Sequence, residues 1–477
     1  MNLARSLRLA LSALPGTSPK SAQRKLDDIT SATGGFGGGR AGVVSLVGAG
    51  GKTTAIFQLA HEITQRPSST IILTATTHLG TWQTSPADHH MLVENLNDLN
   101  NIPLHGITLI TGEIENDRTK PINQTALNWL REYSKDNNIP LFIEADGSRQ
   151  KPLKAPAAHE PPIPEFSDTV IVVAGLGALG KPLTDDHVHR AEIFSQLSGL
   201  QINQPITPDA LIHVLAHPQG GLKNIPPHAR RVAFLNQADT PKLQSIGGST
   251  TRALLDHYDS VIVGTLQHKT FQTFERCAGI ILAAGESTRF GSPKQLLDWK
   301  GKPFVRQVAE TALQAGLWPV EVVTGFHAAD MESALSGLPV NIVHNPDYQQ
   351  GQSTSIKAGI NSLNISDLRV SIGSAIFLLA DQPQIPVEVI RALVESHAQN
   401  MQPILAPLVL EERRANPVLF DRVTFPDLLK ITGDVGGRAI FDKHHMEFLP
   451  WHDDILLFDV DRPQDYQRLK DMDQTPP

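Results

Sequence analysis

Gly279-Ile280-Ile281-Leu282-Ala283-Ala284-Gly285-Glu286-Ser287-Thr288-Arg289-Phe290-Gly291-Ser292-Pro293-Lys294 is a short apolar run delivered straight into a turn of small residues, with two cations close behind. Apolar residues without alternation read as a strand covered on both faces, the condition of a parallel sheet. The small residues let backbone amides at Leu282, Ala283, Ala284 and Gly285 approach a triphosphate, and Arg289 and Lys294 stand where charge develops on its reacting phosphate. Leu282 to Gly285 are therefore nucleotide-binding candidates, and Arg289 and Lys294 catalytic ones.

Outward from this stretch, Val320 to Thr324, Val340 to Val343, Ala375 to Ala380 and Ile404 to Ala406 repeat the strand signal between helical segments. A second series lies upstream: Val43 to Val47, Ile71 to Ala75, Leu141 to Ala145, Thr169 to Ala174, Val232 to Leu235 and Val261 to Val263. Alternation of this kind predicts an α/β protein with two doubly wound, mostly parallel-sheet domains. The chain of 477 residues is also too long for one ordinary core. The boundaries expected are 1–40 for an N-terminal helix and flexible glycine-rich segment, 41–275 for the first domain and 276–477 for the second.

In the second domain, Asp381 ends the apolar run Phe377 to Ala380 and suits a Mg²⁺ ligand, as does Asp461 in Asp459-Val460-Asp461. Gly351, Gln352 and Ser353 offer small and polar groups to a ribose or base, and Asp434 and Gly436 are expected in an acceptor pocket.

In the first domain the strand Val43 to Val47 enters Gly48-Ala49-Gly50-Gly51-Lys52-Thr53-Thr54. Such a loop offers amides and a helix N-terminus to phosphate, with Lys52 as a point charge and Thr53 as a metal ligand. Leu46 stands where the usual P-loop has its first glycine, so the loop is shortened. Gly48, Gly50, Gly51, Lys52, Thr53 and Thr54 are nucleotide-binding candidates for ATP or GTP, with Asp146, and after it Glu144, expected at the metal. Thr76, Thr77 and His78 follow another strand and are expected on the same edge, while Lys181, His187, His189 and Arg190 read as a polar loop above it. Asn236-Gln237-Ala238-Asp239 is close to a guanine-reading motif, with Gln237 in place of its lysine. Gly175-Leu176-Gly177-Ala178-Leu179-Gly180 spells a dinucleotide fingerprint, but Pro182 interrupts the helix that fingerprint needs.

Composition narrows the partners. With 41 basic and 49 acidic residues the net charge is −8, which gives no general attraction to nucleic acid or anionic membrane. No apolar run approaches a membrane span, and the single Cys277 excludes a disulfide framework, which fits a cytoplasmic protein.

The first domain resembles hydroxylase accessory proteins of the YqeC type, through Gly48 to Thr54, Glu144 to Arg149, Lys151 to Pro156 and His189-Arg190. The second resembles the molybdenum cofactor cytidylyltransferases of the MobA-like superfamily, through Leu282 to Lys294, Ala380 to Pro383, Asn416 to Phe420, Gly433 to Gly436 and Asp459 to Asp461. The resemblance implies an N-terminal P-loop domain and a C-terminal Rossmann-like nucleotidyltransferase domain, Mg²⁺, CTP and Mo-molybdopterin as substrates, and Asn416 as an acceptor-binding residue. It further implies a molybdenum hydroxylase of the xanthine-dehydrogenase type as client. Ala283-Ala284-Gly285 and the Asp459-x-Asp461 pair favour cytidylyl over guanylyl transfer within that superfamily. Two alternatives stay open: transfer to another phosphorylated acceptor, or a non-enzymatic, nucleotide-gated cofactor chaperone.

Overall fold

The computed structural model describes residues 1–9, 42–64, 69–286, 290, 293–363 and 371–474. The glycine tract Gly34 to Gly39 and Arg289 lie outside these. The chain divides into two units, Met1–Phe274 and Glu275–Pro477. Among the described residues no helix is long and apolar enough to cross a membrane.

The first unit is built on eight parallel strands in the spatial order Ser260–Thr265, Arg230–Asn236, Thr169–Gly175, Val43–Gly48, Leu141–Glu144, Thr70–Ala75, Gly106–Thr111 and His89–Leu92. Both faces are covered: Val44 and Leu46 enter one apolar cluster, Val43 and Val47 the other. That is why these runs carry so little alternation. The helix Lys52–Thr64 follows the glycine loop and buries Ala55, Ile56, Leu59 and Ala60, spaced to form one stripe. At the amino end, the single helical turn Leu3–Ser6 docks on it: Ala4 N–H donates to Glu62 Oε2 at 2.7 Å, and Leu3 and Leu7 join the same cluster.

Sequence order reverses about Val43–Gly48, with later strands added on both sides. The loop after it therefore sits at a topological switch point, where doubly wound sheets leave a crevice. Register does the rest. Leu46 pairs with Glu144, which sets Gly48 level with Asp146.

The second unit has the order Asn341–His344, Val320–Thr324, Thr270–Leu282 (through residues 276–282), Ile372–Leu379, Val418–Asp421, Ile404–Val409 and Met446–Trp451. The first four are mutually parallel; Val418–Asp421 runs antiparallel to both neighbours. Leu282 pairs with Leu379, so Asp381 comes level with Ala284.

Candidate functional site

In the first unit the glycine loop is tightly built. Gly48, Gly50 and Gly51 have φ of 91°, 84° and 121°, open only to glycine at low cost. A Cβ on Gly50 would lie 2.6 Å from Gly175 N, and one on Gly51 2.7 Å from Asn236 Nδ2. Most of the loop's polar groups are engaged within the unit. Gly48 N–H donates to Asp146 Oδ2 (3.2 Å), Ala49 N–H to Val173 O (2.8 Å) and Gly50 N–H to Lys151 O (3.1 Å). Lys52, 4% exposed, donates to Gly48 O (2.8 Å) and Ser148 Oγ (3.2 Å). Burial pushes its ammonium below the ordinary lysine range, against the pull of Glu144 and Asp146. Thr53 sits half-buried and Thr54 exposed in the first helical turn.

The carboxylates divide differently from the sequence expectation. Thr53 Oγ1 donates to Glu144 Oε2 (2.8 Å), so Glu144 is the carboxylate that touches the threonine. Asp146 is instead ion-paired with buried Lys154, which also meets Glu160 at 2.8 Å; Arg190 forks onto both oxygens of Glu160. Burial raises the carboxyls of Glu144 and Asp146. Although burial opposes its charge, Arg190 and Lys154 hold Glu160 at about 2. Burial, with Arg190 and Lys154 adding to it, lowers His189 to about 4.

Gln83 was not legible as a site residue: its Nε2 donates to Thr53 Oγ1 at 2.7 Å from a 3₁₀ turn, with no local pattern to mark it. His78, by contrast, is tied to Thr119 O and Thr76 Oγ1 to Pro162 O. The guanine-like motif is engaged structurally. Asn236 Nδ2 donates to Gly50 O (2.7 Å), its Oδ1 accepts from Leu266 N–H (3.1 Å), and Asp239 accepts from Thr265 Oγ1. After Gly175 comes a 3₁₀ turn, Leu176–Ala178, in place of the helix a dinucleotide fingerprint requires.

In the second unit Lys294 is the hub. Its Nζ lies 3.0 Å from Asp381 Oδ2 and 3.2 Å from Asp461 Oδ1, and donates to Val460 O at 2.7 Å. Burial works against its charge, but Asp381 and Asp461 outweigh it and raise the ammonium above the ordinary range. Burial also raises Asp459, with the charges of Asp381 and Asp461 adding to it. Ala283 N–H is engaged by Val323 O, Ala284 O accepts from Phe326 N–H, and Gln295 Nε2 donates to Gly285 O (3.0 Å).

Gly351, Gln352, Asp434 and Gly436 form one corner. Asp434 Oδ1 accepts from Gln352 N–H (3.2 Å), Ser353 N–H donates to Gly433 O (3.3 Å), and a Cβ on Gly351 would meet Asp434 Cα at 2.6 Å. Asn416 is half-buried, and among the described residues no hydrogen bond joins it to Asp434 or Gly436. Among the described residues no group of three or more His, Cys, Asp or Glu side chains is arranged to hold a metal.

Residues 44–192 match the YqeC protein family, and residues 279–447 match the MobA-like NTP transferase domain. Over 201 residues the chain is 35% identical to the uncharacterized protein YqeC of Escherichia coli, spanning 41% of this chain and 75% of that protein. It is 29% identical over 186 residues to the nicotine blue oxidoreductase of Paenarthrobacter nicotinovorans, covering 37% of this chain and 85% of the relative. The molybdenum cofactor cytidylyltransferase of E. coli is 29% identical over 115 residues, 24% of this chain and 56% of that enzyme.

Proposed function

The chain belongs to the YqeC family through its first unit and carries a MobA-like NTP transferase domain in its second, and from that premise we propose that the second unit is a molybdenum cofactor cytidylyltransferase. It transfers CMP from CTP to Mo-molybdopterin, giving the cytosine dinucleotide cofactor and pyrophosphate. The first unit binds ATP or GTP and assists maturation of a molybdenum hydroxylase client.

The observation that carries this reading is Lys294 bridging Asp381 and Asp461, with register setting Asp381 level with Ala284. Two carboxylates drawn around one cation fit a hard divalent ion such as Mg²⁺, whose remaining ligands are typically substrate phosphates and water. Asp381 and Asp461 would hold it, and when bound it neutralises phosphate charge.

The chain's own residues position and stabilise. Because Ala283 N–H is spent on Val323 O and Leu282 is paired within the sheet, the backbone that receives the triphosphate is that of Ala284 and Gly285, while Lys294, with Arg289 as the sequence implies, faces the charge that builds on it. An acceptor-phosphate oxygen forms the new bond to the α-phosphorus as the α–β bridging bond breaks, and its electron pair leaves with pyrophosphate. Gly351 to Ser353 hold the nucleoside; Asn416, Asp434 and Gly436 hold the acceptor. The contact of Gly351 with Asp434 supports a nucleoside and an acceptor meeting at one corner.

In the first unit Thr53 with Glu144 is the pair suited to a nucleotide-bound metal, and Asp146 serves the Lys154 network. The deciding assay is pyrophosphate release by the purified chain with CTP or GTP and Mo-molybdopterin. Release with CTP at least tenfold faster than with GTP is expected; release with neither, or with GTP alone, overturns the reading.

A further inference from the structure

The segment Phe458 to Asp461 belongs to no strand. Without a backbone ladder, something else must hold Asp461 against Lys294. Val460 contributes from one side, buried with Trp299, Phe304 and Leu469. From the other side come two glutamines two residues apart. Gln382 Nε2 donates to Asp459 Oδ1 at 2.7 Å, and Gln384 Nε2 donates to Phe458 O at 2.6 Å. Each therefore turns its amide nitrogen onto this segment, which also fixes the amide orientation. Both keep a buried Oε1 with no hydrogen-bond partner among the described residues.

Resting on the nucleotidyltransferase reading, we propose that Gln382 and Gln384 are positioning residues that clamp Phe458 to Asp461, so that Asp461 and Asp381 are held as a pair around one cation. Neither glutamine need touch the metal. Gln382 is joined to Asp381 by the chain itself, so the clamp couples the two carboxylates through one short span, Asp381 to Gln384. Partners of this kind, outside the ligands themselves, typically change metal affinity or activity by about 10–100-fold.

The test titrates Mn²⁺ alone into the full chain, reading free Mn²⁺ by electron paramagnetic resonance, for wild type, Asp381→Ala, Gln382→Met, Gln384→Met and Gln384→Asn. Methionine keeps approximate length and removes the donor; Gln384→Asn keeps the donor on a shorter stem and guards against a methionine variant that misfolds. Thermal melting reports folding. In parallel, the Mg²⁺ half-saturation of pyrophosphate release is measured. The expected result is about 10–100-fold weaker Mn²⁺ binding in both methionine variants, an equal rise in Mg²⁺ half-saturation, and kcat at saturating metal within about threefold of wild type. A purely structural role would lower the melting temperature and leave the half-saturation unmoved. Wild-type metal affinity in folded Gln382 and Gln384 variants, with Asp381→Ala impaired, overturns the clamp alone. Unchanged affinity in Asp381→Ala removes the metal site, and with it both the reading and the clamp.

Discussion

The two glycine loops share one grammar, a buried strand running into small residues, yet their lysines live in opposite electrostatic conditions. Lys52 is sealed in the first unit, folded onto its own loop carbonyl and lowered by burial. Lys294 stands between Asp381 and Asp461, one of them 58% exposed, and is raised by them. The same residue after the same turn is thus a desolvated group whose loop satisfies itself, and a charge held ready by carboxylates. The difference shows that a loop motif specifies placement, whereas neighbours fixed by sheet register specify chemistry.

The comparison breaks most visibly if the second unit's carboxylate is removed. Asp381→Ala is expected to lower pyrophosphate release by on the order of 10³-fold with melting unchanged; wild-type turnover would refute a metal role. Lys294→Ala should reduce kcat/KM by about 10²-fold, the scale of one preformed charge contact, measured in the same assay. Less than a threefold loss would place Lys294 outside the reaction.

A smaller effect probes the sealed network of the first unit. Because Glu160 is held at about 2 against an ordinary 4.5, the folded state favours its ionised form. That contribution is present above pH 4.5 and is lost as pH falls toward 2. Glu160→Gln should therefore melt lower than wild type at neutral pH, with the two curves converging through that window. Parallel curves in thermal melts from pH 2 to 7 would contradict the assignment. The smallest effect sharpens the contrast. Lys52→Ala should abolish nucleotide binding by the first unit, read by fluorescent-nucleotide titration, while pyrophosphate release stays at wild-type level. Linkage of ~1–3 kcal/mol would change release at most ~150-fold, and a ~1000-fold loss would mean that one mechanism uses both loops.

Sequence periodicity identified the strands that carry both loops, because parallel strands covered on two faces leave uninterrupted apolar runs. Gly106–Thr111 escaped since it buries Thr108 and Thr111, which read as polar breaks, and His89–Leu92 escaped as a polar edge strand. Val418–Asp421 and Met446–Trp451 lie in the region where the sheet turns antiparallel and the alternation of strand and helix fails. Of the site, Asp381 could be named from a strand end, Lys294 from a small-residue turn and Asp461 from the carboxylate pair after an apolar run, yet their meeting depends on a fold that joins distant segments. Glu144 rather than Asp146 meets Thr53 because buried Lys154 claims Asp146, an ion pair that strand and turn patterns do not reveal. Gln83 is the same case, reaching Thr53 across 30 positions.

The hydrogen bond from Lys294 to the carbonyl of Val460 spans 166 positions of chain. Contacts so far apart close late, because a long loop must be ordered before they yield anything. During synthesis, the strand, small-residue turn and lysine emerge well before the segment that supplies Asp461. A nascent chain, or one clipped before Asp461, would hold Lys294 and Asp381 without their third partner, so the centre becomes complete only when the segment carrying Val460 and Asp461 has folded back.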